Sequence, residues 1–292
     1  VNLTFDQLVA DAPYGASERL SPLVRRVLAR NPSPFTFTGT GTYIVGSGTV
    51  AVIDPGPADN AHLDAVAEAV AGETVSHFLI THTHMDHSPG AAPLKARLGG
   101  MIAGCAPLAL SDDGPRADAG FDPGYAPDRV LADGEAVRGP GWTLRAVSTP
   151  GHTSNHLCFA LEEEAALFSG DHVMGWSTTV VAPPDGDMAA YIGSLKRLLD
   201  RPDRRYYPTH GAPVDEPQRF VKGLIAHRRQ REAQILGLLE GGPGAIPGMV
   251  EQMYAAVDRR LWPAAGRSVL AHLIDLEARG AVRRQGDGWA LA

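Results

Sequence analysis

The chain of 292 residues reads as an α/β protein, a four-layered αββα sandwich followed by a small helical unit with a terminal hairpin. Three observations predict it. Short Val- and Thr-rich runs alternate with runs whose apolar residues recur at helical spacing. From Pro217 the pattern turns helical. Gly241-Gly242-Pro243-Gly244 then breaks the chain as a boundary should. The expected division is a large domain over residues 1–240 and an accessory domain over 241–292.

Taken in order, Ser21-Pro22-Leu23 offers an N-cap and a proline at the first helical position, so a short helix is expected, ending before Asn31-Pro32. Extended segments follow from Phe35 to Val45 and from Thr49 to Ile53, with Gly46-Ser47-Gly48 as a hairpin turn between them. Leu63, Val66, Ala67 and Val70 mark one face of a helix that leads to the strand-like His77-Phe78-Leu79-Ile80. Trp142 to Val147, Asn155 to Leu161 and Ala165 to Phe168 read as strands, the last two joined by the acidic turn Glu162-Glu163-Glu164. Asp187 is placed to cap a helix with Met188, Tyr191, Ile192, Leu195, Leu198 and Leu199 on its buried side.

Past Pro217, residues Phe220, Val221, Leu224 and Ile225 form the apolar face of a long helix, on which Arg228, Arg229 and Arg231 read as a solvated face. Beyond the glycine break come a helix around Met249 to Val257, another around Arg267 to Arg279 ended by Gly280, and a hairpin turning at Gly286-Asp287-Gly288. Helix, helix and hairpin make a winged-helix-like unit.

The chemistry is concentrated in Thr81-His82-Thr83-His84-Met85-Asp86-His87, directly after a strand-like run. Imidazole nitrogens and carboxylate oxygens suit Zn²⁺ and other first-row divalent metals, whereas Cys105 and Cys158 are too few and too far apart for a thiolate cage. Strand alternation sends His82 and His84 to one side, and the following turn lets Asp86 and His87 swing inward. One loop cannot close two metal sites. Further ligand-type residues stand after strand-like runs and beside glycine: His152 in Pro150-Gly151-His152, Asp171 in Gly170-Asp171-His172 and His210 in Thr209-His210-Gly211. Each of these three also fits a plain turn.

With those residues in hand, the chain resembles the metallo-β-lactamase-fold hydrolase superfamily. The resemblance rests on His82-x-His84-x-Asp86-His87, then His152, Asp171 and His210 in that order, with Val52-Ile53-Asp54-Pro55-Gly56 upstream, and it covers roughly residues 35 to 215. It implies the strand pairing of the sandwich and a two-metal site. His82, His84 and His152 would hold one metal, Asp86, His87 and His210 the second, and Asp171 would bridge them. It also implies that Asp54 orients a ligand histidine by a hydrogen bond, the plainer reading being turn initiation before Pro55-Gly56. His156 and His172 are expected to support the site rather than ligate, and His62, His77, His227 and His272 to be ordinary. Met174, Trp176 and Tyr207 either shape a pocket or simply pack.

Two zinc ions per chain are the expected cofactor, with Mn²⁺ or Fe²⁺ served by the same ligands. Such a pair would deprotonate a bridging water, making the chain a hydrolase that attacks with metal-bridging hydroxide. Asp86 is expected both to ligate and to orient the nucleophile and accept its proton, a catalytic role.

The segment His227-Arg228-x-x-Arg231-Glu232-x-Gln234-Ile235-Leu236, with the wing-like tail, resembles the β-lactamase-like protein 2 branch of the superfamily. That branch implies acyl-releasing thioesterases and an endoribonuclease on single-stranded RNA. The first reading is therefore hydrolysis of a small acyl substrate, a thioester, ester, lactone or β-lactam. Cleavage of RNA is the alternative, and a non-catalytic metal-binding protein the third reading.

The net charge of −7 gives no global attraction to nucleic acid or anionic membrane, and aromatics at 7% are sparse for a single-strand groove. Residues 243 to 292 carry six Arg against five acidic side chains, too balanced for a DNA-reading face, so DNA is disfavoured as a partner. Packing beside the active site, or dimerisation, is the role expected of the tail. No apolar run approaches about 18 residues, so no membrane span is expected. Val1 to Asp6 lacks the basic start and apolar core of a signal peptide, and two cysteines form no framework, so a reducing cytoplasm is the expected location.

Overall fold

The structure is a computed structural model that describes residues 4–108 and 120–292; Val1 to Leu3, part of the N-terminal stretch considered above, lie outside the described residues. Among the described residues two large sheets carry the fold. The first runs in chain order through β1 (Ser17–Arg19), β2 (Val24–Leu28), β3 (Gly41–Ser47), β4 (Thr49–Ile53), β5 (Thr74–Ile80), β6 (Met101–Gly104) and β7 (Arg129–Val130). Its pairing changes from antiparallel to parallel between β4 and β5, where α2 (Asn60–Ala69) makes the crossover; α3 (Ala91–Leu98) makes the next. The second sheet has the order β12 (Arg205–Pro208), β11 (Ala166–Gly170), β10 (Leu157–Leu161), β9 (Trp142–Ser148) and β8 (Ala136–Gly139).

Side-chain alternation explains why the sheets stack. In β10, Leu157, Phe159 and Leu161 join the cluster shared with the first sheet, while Cys158 and Ala160 join a cluster on the opposite face. The same split puts Phe168 and Tyr207 between the sheets, their rings 5.1 and 5.7 Å from that of Tyr43 on β3, and Leu167 and Tyr206 outside. The outer face is covered by α4 (Met188–Leu199) and α5 (Pro217–Leu239) through Tyr191, Leu195, Leu198, Val221, Leu224 and Ile225. Leu63 and Val66 of α2 and Leu94 of α3 pack on the first sheet, completing the αββα order. As expected, Asp187 caps α4 by accepting from the Ala190 amide, and Gly48, at φ +72°, turns the β3–β4 hairpin.

Four sequence expectations are corrected. Residues 24–28 form strand β2, not helix: Val24 and Val27 are fully buried and the segment is zipped between β1 and β3. Ser21 does hydrogen-bond forward to the Val24 amide, yet Glu164 takes the Leu23 amide and holds the chain extended. Residues 35–40 are a loop rather than strand, because Ser33 Oγ accepts from the Phe35 and Thr36 amides and Asn31 Oδ1 from that of Thr40. The helix expected around Met249 to Val257 is α6 (Ile246–Met253), and the next, α7 (Trp262–Ala278), starts five residues before Arg267 with a proline in its first turn.

The tail closes with the antiparallel pair β13 (Val282–Gln285) and β14 (Gly288–Leu291). Its core joins Met249, Val250, Val269, Leu273, Leu276, Val282 and Trp289 to Ile235 and Leu239 of α5. Among the described residues no helix is long and apolar enough to cross a membrane.

Candidate metal centre

All the expected ligand residues stand on turns that leave strands at one edge of the sandwich. Asp54 follows β4, His82 to His87 follow β5, His152 follows β9, Asp171 follows β11 and His210 follows β12. Glycine is required at two of these turns. Gly151 has φ +140° and a Cβ there would lie 2.3 Å from the Tyr191 Cα; Gly170 has φ +52° and its Cβ would meet His156 Nε2 at 2.6 Å.

The side chains converge in three groups whose donor atoms lie within 4.8 Å of one another: His82, His84 and His152; His82, His87 and Asp171; and Asp86, His87 and His210. His82 Nε2 and His152 Nε2 stand 2.9 and 3.1 Å from His84 Nδ1. His210 Nε2 lies 3.1 Å from Asp86 Oδ2, and His87 Nε2 lies 3.5 Å from the same oxygen. Asp171 spans the two sets, with Oδ1 3.4 Å from His210 Nε2 and 3.6 Å from His87 Nε2, and Oδ2 3.8 Å from His152 Nε2.

The outward nitrogens are fixed by neighbours. His87 Nδ1 bonds Asp54 Oδ2 at 2.9 Å, His152 Nδ1 bonds the Val180 carbonyl at 2.7 Å, and His210 Nδ1 bonds the Gly39 carbonyl at 3.2 Å. Thr81 Oγ1 donates to Asp54 Oδ2 and so accepts from His82 Nδ1. These bonds set the tautomers and aim the Nε2 lone pairs inward. His87 Nε2 and Asp171 Oδ1 are buried without a hydrogen-bond partner among the described residues, a state that a bound cation relieves. The donor set is all nitrogen and oxygen, so the residues present fit divalent zinc, manganese or iron.

The electrostatics agree. Burial, then the neighbouring imidazoles, drives His82 well below its ordinary range, and burial and His152 push His84 down to about 3; both are neutral, the form that binds metal. Burial disfavours charge on His210 and His87 too, but the carboxylates prevail. Asp171 and Asp86 raise His210 to about 10, and Asp86, Asp171 and Asp54 raise His87 well above its usual value. Burial opposes ionisation of Asp171 and Asp86, yet the facing histidines hold both below the ordinary carboxylate range. Where these protons sit, between imidazole and carboxylate, positive charge is wanted.

In keeping with the supporting role expected of it, His156 accepts from the Asp171 amide at 3.2 Å and is held by Thr149, so it positions the turn that carries Asp171. Other residues, read as bland from sequence, also reach the site. His227, Arg228 and Arg231 of α5 line a cavity of about 640 Å³ that opens on His84, Asp86, His152, Asp171 and His210. Arg228 is not on a solvated face: it is 3% exposed, donates to the Thr179 carbonyl and lies over the Tyr191 ring. Met174 and Trp176 also line the cavity, Trp176 stacked on Phe37 at 4.9 Å, whereas Tyr207 packs in the core. The far wall comes from the tail, through Tyr254, Val257, Leu261, Ala264, Ala265 and Ser268. On α7, Val269, Ala271, His272 and Leu273 are buried, so this stretch of the helix packs inward and offers no open face to DNA.

A sandwich of this order with histidines and aspartates at its strand-end turns defines the class: the chain belongs to the metallo-β-lactamase superfamily, whose description matches residues 36–210. Residues 246–289 match the β-lactamase associated winged helix domain. Among relatives, the chain is 34% identical over 285 residues to the β-lactamase-like protein 2 homolog of Drosophila melanogaster, covering 92% of both chains. It is 34% identical over 234 residues to an atrochrysone carboxyl ACP thioesterase of Cryptosporiopsis, covering 78% of this chain and 66% of that protein, just under two thirds of its length. A metallo-β-lactamase family protein from Thermus thermophilus superposes with a TM-score of 0.74 at 25% identity, covering 94% of this chain and all (100%) of that one. The protein is thus a metallo-β-lactamase-fold hydrolase.

Proposed function

We propose that this hydrolase cleaves a small acyl substrate, a thioester, ester, lactone or β-lactam, at a two-metal centre. His82, His84 and His152 would hold one metal and Asp86, His87 and His210 the other, with the Asp171 carboxylate facing both sets of residues. The observation that carries the reading is the cavity: its exposed wall is mostly apolar surface, to which Phe35, Met174, Trp176, Val180, Val257 and Leu261 contribute, and it leads to the convergent His and Asp donors. When bound, the metals, zinc in the first instance, supply an electrophile for the carbonyl oxygen and a water acidified toward neutral pH.

The residues of the chain do the rest. The apolar walls exclude water from the acyl portion and hold its carbonyl at the donors. Asp86 lines the cavity and is ionised, so its carboxylate can orient the attacking water and take its proton. A relative named as a carboxyl ACP thioesterase supports acyl chemistry. For single-stranded RNA the geometry offers less: Arg228 is buried on a backbone carbonyl and Arg231 is stacked on Tyr254, so neither forms a solvated basic track.

A panel of thioesters, lactones and β-lactams beside a fluorescent single-stranded RNA, with metal-loaded and chelator-treated protein, tests the reading. Chelator-sensitive turnover in the acyl panel is expected. Chelator-sensitive RNA cleavage with a silent acyl panel overturns it.

A further inference from the structure

Three nitrogens on one helix, His227 Nδ1, Arg228 Nε and Arg231 Nε, are buried at the cavity wall and have no hydrogen-bond partner among the described residues. Nor does either guanidinium have a carboxylate partner among those residues. Arg228 bonds the Thr179 carbonyl and covers Tyr191; Arg231 bonds the Met253 carbonyl and Gln234 and covers Tyr254 at 4.4 Å. The acidic side chains of α5 and α7 are engaged elsewhere. Glu232 and Asp275 both pair with Arg279, and Glu277 with Arg284. The local field is accordingly positive: burial, then Arg228 and Arg231, pushes His227 down to about 4.

Buried charge without a counter-charge is costly, and a guanidinium fork in an apolar wall is matched by planar or tetrahedral oxyanions. We propose that Arg228 and Arg231 form an anion subsite of the cavity, which binds a carboxylate or phosphate carried by the substrate away from the scissile bond. This deepens the acyl-hydrolase reading and rests on it for the word substrate. The subsite itself rests on the placement of Arg228 and Arg231 at the cavity wall and not on the reaction. Tyr254 and Gln234 hold Arg231 in place, so the tail contributes to recognition and does more than cover the cavity.

The test uses non-hydrolysable thioether analogues of increasing chain length, ending in a carboxylate, a phosphonate or the neutral methyl ester, titrated calorimetrically into the metal-loaded full chain. One anionic series is expected to bind at least about tenfold more tightly than its neutral counterpart, and which series does so identifies the anion. In Arg231→Gln the ratio of anionic to neutral affinity should fall toward one, and Arg231→Lys should restore part of it. Arg228→Lys, which keeps the buried charge, guards against loss of folding and should lower the same ratio. Equal binding of anionic and neutral analogues overturns the proposal, as does a preference unchanged in both Arg231→Gln and Arg228→Lys. If thioesters matching these analogues are not hydrolysed while the anionic preference is present, the acyl reading falls and the subsite stands.

Discussion

Asp54 Oδ2 lies 2.9 Å from His87 Nδ1, and both side chains are fully buried. The same carboxylate accepts from the Thr81 amide, the Thr81 hydroxyl and the Thr209 hydroxyl. One aspartate thereby ties together the turns after β4, β5 and β12, two of which carry candidate metal ligands. Its own backbone adopts φ +46°, a left-handed conformation that Asp and Asn enter more readily than most other L residues.

Asp54→Asn should therefore weaken metal binding by about 10- to 100-fold while leaving most of the fold intact, since an amide keeps the shape but loses the charge that orients His87. Titration against a competing chelator reads this. Wild-type affinity in the variant would mean that His87 is oriented by other means.

Asp171→Ala removes the carboxylate that faces both sets of histidines. Hydrolysis should fall by about a thousandfold or more, with metal content reduced by direct elemental measurement. His82→Ala should behave likewise, because His82 belongs to two of the three donor groups. Full turnover in either metal-depleted variant sinks the two-metal mechanism.

The metal-free protein should show a stability maximum in pH. His210 has a raised pKa, so its contribution is complete below the ordinary imidazole value of 6.5 and is lost as pH rises through about 10. His84 has a lowered one, so its contribution is complete above 6.5 and is lost as pH falls toward about 3. Thermal unfolding of chelator-treated protein should thus peak near neutrality. Metal loading displaces the His210 proton, so proton release should accompany binding below about pH 10 and fade above it. A flat profile with no proton release contradicts this.

Gly170→Ala should destabilise the protein by about 2–4 kcal/mol, through the left-handed backbone and the overlap with His156. A lowered denaturant midpoint at unchanged slope is the expected signature. Metal content should fall with it, because His156 holds the Asp171 amide.

What was legible in the sequence divides by range. The first ligand loop could be read because its four donors lie within six residues, and the later ones because each follows a short apolar run and sits beside a glycine. β2 was misread because Ser21-Pro22 is a sound local helix start, and only pairing with β3 and the reach of Glu164 across the fold override it. Arg228 was misread for a related reason. Its spacing on α5 suits a wet face, and nothing local announces Thr179 and Tyr191 as its partners. Long-range contacts of that kind leave no trace in periodicity.

α5 has 23 residues, about 35 Å of helix, and is a member of two cores: Val221, Leu224 and Ile225 seal the outer sheet face, while Ile235 and Leu239 complete the tail. This makes the tail a poor interchangeable module. A lineage that swapped tails at the glycine stretch would seat new helices on the old Ile235 and Leu239 knobs, and would lose the fit between Arg231 and Tyr254 as well. Change of specificity in such a chain is expected to proceed by point substitution along the shared helix, or by inheritance of tail and helix as one block.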